Sequence, residues 1–427
     1  MKWRNQLLAL FCLLAFAGFG ILYFQHWVVQ KPFGIILFIG EGLAPSRLAA
    51  TRIFAAGADV PLALDSLSYS ALLRNHSNDF ATPDQAAAAT TLASGAKVDN
   101  GAIGIDSDGK SIANILELAH ESGRATGLIT NLDLTEPTAA AFYAHTRKAE
   151  DKDGLARELV ENSKLDLILG GGAAHFLPES KGGRRQDGRD LLMELRRNGF
   201  DLVRSKAELE AIPRWRQPRL FGVFSESHLA FGDEVEVRGE QPDLSDMVRR
   251  GIELLQFNPG GYVLVIDTGL MRKAAEANNG ERTLTETVEL DRAVAVALRY
   301  MGRKSTILVC GDVAIGGLNL SGFPYRKDSK VALLGLNSAG DPWLTWASGP
   351  NGLGSYGSSR LEDPHRSSDP AASAMVSPQP QEPAAIYSKS ALNTAEDLIL
   401  FGSGPGAEAI KGSLDNTAVF TIMRDSL

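Results

Sequence analysis

Cysteine is nearly absent. Of 427 residues only two are cysteines: Cys12, inside an apolar N-terminal run, and Cys310, just after the apolar stretch Ser305 to Val309. A pair so placed excludes a disulfide framework, and the compartment has to be read from another feature. Basic charge is also short: 43 Lys and Arg against 51 Asp and Glu leave a formal net charge of -8. That balance gives no electrostatic reason to expect nucleic acid or anionic lipid headgroups as partners. Internal repeats and heptads are missing, which excludes a solenoid and a coiled coil. What is present, 44% hydrophobic and 22% charged residues, is the composition of a folded protein with a large core.

Lys2 and Arg4 precede about twenty mostly apolar residues, Leu7 to Val29, interrupted by Gln25 and His26. The segment is secretory or membrane-spanning. Ala15-Phe16-Ala17 matches a small-x-small cleavage site, but a cut there leaves the apolar Gly18 to Val29 exposed to water. An uncleaved anchor is therefore favoured over a signal peptide. An apolar helix packed inside the fold is the third reading, against which stands the abrupt strand start at Phe33. Positive charge ahead of the span places the residues after about 30 outside the cytoplasm, facing the periplasm or the exterior.

Beyond Gly34, short apolar runs alternate with helical patterns. Ile35 to Ile39, Thr126 to Ile129, Leu165 to Leu169, Tyr262 to Ile266, Thr306 to Val309 and Asp397 to Phe401 read as strands. Ile112 to Ser122, Lys152 to Asn162, Asp190 to Asn198 and Leu284 to Met301 read as helices. Strands without a polar face are covered on both sides, which predicts a three-layer α/β/α sandwich with a mostly parallel central sheet. Strands recur from residue 35 to residue 401, so residues 31–427 form one domain. Residues 347–390 carry Gly-Pro-Asn-Gly, Ser-Ser-Asp-Pro and Pro-Gln-Pro-Gln-Glu-Pro, and predict a long flexible surface loop.

In parallel α/β sheets ligands gather beyond the carboxyl ends of the strands. Glu41, Asp267 and Asp312 each stand at or just after an apolar run, and Thr135 to Thr138 follow another. Single acidic residues also end strands in ordinary loops. Their recurrence at several strand ends points to an oxygen-ligand site for a hard cation.

These residues lie in a wider pattern. Phe38-Ile39-Gly40-Glu41-Gly42 resembles the opening strand and metal-binding turn of the alkaline phosphatase family, where the fourth position is normally Asp. Ser94-Gly95-Ala96-Lys97 with Asn100 to Gly104 is similar to the segment after that family's nucleophile. Ala141 to His145, Ile168 to Gly172, Ala277 to Asn279 and Glu286 to Val294 follow in the family's order. The resemblance runs from residue 35 to about 410. It implies the fold and the ancestry; activity is a separate matter.

Residue by residue, the resemblance implies a degenerate site. The nucleophilic Ser is matched by Gln85 in Asp84-Gln85-Ala86, and an amide has no ionisable oxygen to form a phosphoryl intermediate. Asp84 and Thr82 are the oxygen-bearing neighbours. One zinc site is matched by Arg272, Glu276 and Asn393, the other by Glu41, Asp312, Val313 and Gln85; a guanidinium cannot ligate a cation, and no imidazole remains. None of the seven histidines falls at a ligand position, and His145 matches a non-ligand one. The magnesium site is matched by Glu41, Thr138 and Asp267, all still oxygen ligands, so Mg2+ remains conceivable and zinc is expected to be lost. The phosphate-binding Arg is matched, at shifted spacing, by Arg147 or Lys148. Carboxylates deprived of dications need a counter-charge, and Arg272 is suited to supply it, paired at i,i+4 with Glu276. The function implied is a membrane-tethered pseudophosphatase that either binds a phosphorylated or anionic small molecule or serves as an interaction module outside the cytoplasm. The alternative is a phosphatase working with a single Mg-type ion. Elemental analysis of the purified protein is expected to find no stoichiometric zinc; two zinc ions per chain would refute the assignment of the lost sites.

Overall fold

A computed structural model describes residues 2–23, 33–162, 164–215, 219–302, 304–321, 326–328, 330–337, 340–352 and 382–427. The strands in chain order are β1 (Gly34–Gly40), β2 (Tyr69–Arg74), β3 (Ala125–Asp133), β4 (Leu167–Gly171), β5 (Asp201–Val203), β6 (Leu220–Val223), β7 (Tyr262–Thr268) and β8 (Thr306–Gly311). They continue with β9 (Ala314–Ile315), β10 (Leu318–Leu320), β11 (Leu344–Gly349), β12 (Ala384–Tyr387), β13 (Asn393–Thr394), β14 (Leu398–Ser403) and β15 (Ser413–Asp415). Ten of them form one sheet in the order β15-β2-β14-β8-β1-β7-β3-β4-β6-β5. Every pairing in it is parallel except those of β14 with β2 and β8.

β1 shows why the protein has three layers. All seven of its residues are buried. Ile35, Leu37 and Ile39 pack with the helices Gln85–Ser94, Ile115–Glu121 and Thr417–Asp425, whereas Ile36 and Phe38 pack with Leu244–Leu255 and Gly280–Tyr300 on the other face. Strand alternation thus sends one continuous apolar run into two cores. All six predicted strands and all four predicted helices form, with ends shifted by a few residues. The short strands β2, β5, β6 and β15 carry too little pattern to be read from sequence.

The flexible-loop expectation for 347–390 needs correction. Its ends are ordered: β11 and β12 belong to a separate three-stranded sheet, β10-β11-β12, built around buried Trp346. Residues 353–381 lie outside the described residues. At the other terminus Lys2–Tyr23 is a helix, and none of its apolar window Trp3–Gly20 is buried, so the reading of an apolar helix packed inside the fold does not hold. At 1.5 Å per residue its 22 residues span about 33 Å, close to a bilayer's hydrocarbon core. The part of the predicted span from residue 24 to Val29 is outside the described residues.

His145 is a structural fixture. Its ring lies 3.6 Å from both Glu117 and Glu158, and Nε2 is 3.2 Å from Ile112 O. The two glutamates, countered only by burial, raise its pKa to about 10. A folded pKa above the unfolded value of about 6.5 gives stability that is complete below pH 6.5 and lost as pH rises towards 10. The thermal midpoint should therefore fall across that alkaline range, and His145→Gln should flatten the fall. An unchanged slope in the variant would contradict the assignment.

Candidate functional site

The register of the central strands builds the site. β1 lies between β7 and β8, with Ile39 opposite Asp267 and Gly40 opposite Gly311. Glu41, Asp267 and Asp312 are therefore delivered to one edge, and all three are fully buried. Gly42, at φ 84°, makes the turn that lets the chain leave β1; a Cβ there would collide with the Arg47 guanidinium. The Gly42 N–H donates to Asp312 Oδ1 at 3.0 Å, and the Val313 N–H donates to the same oxygen at 2.6 Å. Val313 contributes only this backbone group.

The short helix Leu270–Glu276 follows β7 directly and carries Arg272, 5% exposed, into the cluster. Its Nε donates to Glu41 Oε2, its Nη1 to Glu276 Oε1 at 2.6 Å and its Nη2 to Glu136 Oε2 at 2.8 Å. Burial opposes the charge, but Glu41, Glu276 and Glu136 outweigh it and raise the Arg272 pKa well above its usual value. Glu136 is half-buried, and against that desolvation Arg272, Lys273 and Lys152 hold it at about 2. Sequence reading identified the Arg272 and Glu276 positions but passed over Glu136, although it lies inside the Thr135 to Thr138 stretch.

A second guanidinium, Arg47, was also missed. It is 1% exposed, and it donates to Glu41 O at 3.0 Å and to Ile315 O at 3.4 Å. Burial lowers its pKa to about 10 against the pull of Asp312 and Glu396. An Arg in the helix Pro45–Ala55 carries no sequence signal of burial; only the turn at Gly42 brings it in.

Four buried oxygens in this region have no hydrogen-bond partner: Glu41 Oε1, Thr138 Oγ1, Asp267 Oδ1 and Asp312 Oδ2. The other Asp267 oxygen accepts from Thr130 Oγ1 at 2.7 Å. Burial first, and then the Glu41 charge beside it, push Asp267 well above the carboxylate range; the same causes bring Asp312 to about 7. Each unpartnered buried group costs about 1–3 kcal/mol. Glu41, Thr138 and Asp267 thus offer two carboxylates and a hydroxyl, a donor set that fits a hard, oxygen-seeking ion. Among the described residues no three His, Cys, Asp or Glu side chains are gathered in a ligand cluster, so such an ion would rest on these two carboxylates, the hydroxyl and water. Of the positions that the resemblance matches to zinc ligands, Arg272 and Val313 offer no donor side chain, Asn393 offers an amide, and Glu41, Glu276 and Asp312 offer carboxylates.

Gln85 opens the helix Gln85–Ser94, behind the cap of Asp84. Asp84 caps the helix, its two oxygens accepting from Ala87 N at 2.8 Å and Gly101 N at 2.6 Å. Gln85 Nε2 donates to Asn393 Oδ1 at 3.2 Å, and Asn393 Nδ2 donates to Pro83 O at 3.0 Å. β13 holds Asn393 opposite Ile315, three residues after Asp312. Two positions 308 apart in sequence, one matched to the nucleophile and one to a zinc ligand, are thus joined amide to amide. Arg147 is elsewhere. It is exposed, and its Nη2 donates to the carbonyls of Asp106 and Ser107, so its guanidinium braces a surface turn and makes no hydrogen bond to Gln85, Asn393 or Glu41 among the described residues. Lys148 is exposed beside it.

The Arg272 hub makes a direct prediction. Arg272→Met leaves the buried Glu41 without a cation, whereas Glu136 keeps Lys152 and Lys273 and Glu276 keeps Lys273; removal of one partner from a buried pair costs about 3–5 kcal/mol. Denaturant unfolding should show a loss of that size, with Arg272→Lys intermediate. A loss under about 1 kcal/mol would mean that the hub is not a stabilising pair.

Comparison with known proteins bears on the whole chain. The family model described as alkaline phosphatase matches residues 34–427. Tissue-nonspecific alkaline phosphatase of Gallus gallus is 27% identical over 440 residues, covering 91% of this chain and 83% of that one. Alkaline phosphatase H of Pseudomonas aeruginosa is 30% identical over 327 residues, covering 66% and 68%. Among solved structures, the alkaline phosphatase of the Antarctic bacterium TAB5 superposes with a TM-score of 0.71 at 20% identity, covering 93% of this chain and 98% of that one. The Thermus thermophilus enzyme gives 0.72 at 24%, covering 93% and 92%. With a match over nearly its entire length, and with the expected strands in the expected order, the chain belongs to the alkaline phosphatase family.

Proposed function

We propose that this member of the alkaline phosphatase family is a catalytically degenerate pseudophosphatase, held in the cell envelope by its N-terminal helix with the domain outside the cytoplasm. In this reading it retains a cleft for a phosphorylated or anionic small molecule. The observation that carries the reading is the Gln85–Asn393 amide pair. It fills the two positions that would supply a nucleophile and a zinc ligand with groups that satisfy each other and can neither attack phosphorus nor bind zinc. Arg272 supports it, because its guanidinium occupies Glu41 where a cation would otherwise be needed.

The unpartnered oxygens of Glu41, Thr138 and Asp267 favour a second feature, binding of one Mg-type ion. A solved variant of the TAB5 alkaline phosphatase holds Mg. When bound, such an ion would supply positive charge to polarise an oxygen of a ligand. The chain's own residues would do the rest: Thr130 fixes Asp267, Arg272 fixes Glu41, and the helix Pro137–Ala140 presents Thr138. The alternative reading is a weak phosphatase that depends on this ion.

The two are separated by one set of measurements. With an aryl phosphate across alkaline pH, turnover with added zinc or magnesium should stay at background, and Gln85→Ser should not restore it. Magnesium should raise the thermal midpoint, by the equivalent of about 2.7 kcal/mol at a hundredfold excess over Kd, and Asp267→Asn should abolish the rise. Magnesium-dependent turnover lost in Asp267→Asn would sink the pseudoenzyme reading in favour of the single-ion phosphatase.

A further inference from the structure

The end of the sheet opposite the carboxylates carries a cavity of its own. β1, β3, β4, β6, β7 and β8 run parallel, so their first residues share one edge. The turns leading into them are laced together: the Phe33 N–H donates to Lys304 O at 2.6 Å, Arg124 Nη1 to Phe33 O at 3.1 Å and Asn258 Nδ2 to Gly123 O at 2.9 Å. Against these turns lies a cavity of about 410 Å³ lined by His120, Arg124, Asp166, Arg219 and Asn258 among others.

The lining carries two guanidiniums, Arg124 and Arg219, against one carboxylate, Asp166; Arg124 is spent on the carbonyls of Phe33, Ser426 and Leu427, which leaves Arg219 as the available guanidinium. Arg219 is exposed and stacks on the Phe200 ring, 4.9 Å from its centroid. Stacking occupies the face of a guanidinium and leaves its N–H edge for an anion. Asp166, the acidic member, is engaged by the Thr126 N–H at 2.8 Å and the Thr126 hydroxyl at 3.3 Å. Lys164, Arg299 and Lys304 are exposed in the same set of turns, against Glu121 and Glu161. The edge also exposes aromatic side chains: Phe33 is 37% accessible, Phe257 49% and Tyr300 43%. Cations beside half-exposed aromatic rings are what a membrane interface accommodates.

The covalent chain enters the domain at this edge. Nine residues, 24–32, join the exposed apolar helix Lys2–Tyr23 to Phe33, a tether of at most about 30 Å. The cleft is about 23 Å farther away, the length of the seven-residue β1. The net charge of -8 does not oppose this, because charges beyond about 8 Å are screened at physiological salt and only the local patch faces the lipid.

We propose that the strand-start edge is a membrane-docking face, and that its cavity takes the phosphate of an anionic phospholipid headgroup through Arg219 and His120. Phe33, Phe257 and Tyr300 lie at the level of the interface. The inference rests on Lys2–Tyr23 being a retained anchor. Its consequence is that the cleft faces away from the bilayer and takes its ligand from the aqueous phase.

The test uses the full chain in nanodiscs of phosphatidylcholine, with and without phosphatidylglycerol, followed by amide hydrogen exchange. Exchange in residues 120–125 and 256–261 should slow about fivefold or more in the anionic discs, the factor that one basic residue near an anionic surface supplies. Residues 84–86 and 391–394, in the cleft, should not change. Arg219→Glu should abolish the difference and Arg219→Gln reduce it, with both variants still unfolding in one cooperative transition. Equal exchange in the two lipids overturns the docking face. So does the same slowing produced by soluble glycerol phosphate in detergent-solubilised protein, which would make the cavity a site for a free anion. Failure of the chain to enter nanodiscs refutes the anchor and the docking with it, whereas incorporation with equal exchange refutes docking alone.

Discussion

One guanidinium sets the electrostatics of the cleft. Arg272 gathers Glu41, Glu136 and Glu276 around itself in a nearly dry environment, where isolated carboxylates would be unstable or protonated. Asp267 and Asp312, which lack such a partner, carry raised pKa values from burial and from the Glu41 charge. The difference between the paired and unpaired acids is the physical signature of this site. A fixed organic cation covers one side of the carboxylate cluster and leaves oxygen atoms bare on the other.

That arrangement explains how the scaffold stays folded with buried acids at its strand ends. The sheet does not depend on the cleft: β1 is anchored by apolar contacts on both faces and by in-register partners, β7 and β8. The acids at the strand ends are a local problem, answered locally by Arg272 and, beneath the turn, by Arg47. Family membership therefore fixes the architecture and leaves the chemistry to be argued from the site.

The parallel sheet also gives the molecule two unlike ends. Strand exits hold the carboxylate cluster and the Gln85–Asn393 pair. Strand starts hold Phe33, the cavity beside Arg219 and the chain's connection to the N-terminal helix. A single rule, that parallel strands begin together and end together, separates the end nearest the N-terminal helix in sequence from the end that carries the carboxylate cluster.

Long apolar runs were legible because their burial on both faces leaves an unbroken signature, and the six strands read that way all form. β2, β5, β6 and β15 were not, since three to six residues of mixed character hold no period. In the site, Glu41, Asp267 and Asp312 could be placed by their positions at strand ends, and Arg272 with Glu276 by their i,i+4 spacing. Arg47 and Glu136 could not, because nothing local distinguishes a buried charged side chain from an exposed one. Nor could the sequence show that Arg147 turns to a surface loop, that the ends of the Pro-rich segment form strands, or that Gln85 meets Asn393. The sequence by itself determined the layered fold, the apolar N-terminal helix and the identity of every group available for chemistry, because these follow from local composition and strand periodicity. Only the tertiary structure decided which charges meet and which oxygens are left without a partner, because those depend on strand register between residues hundreds of positions apart.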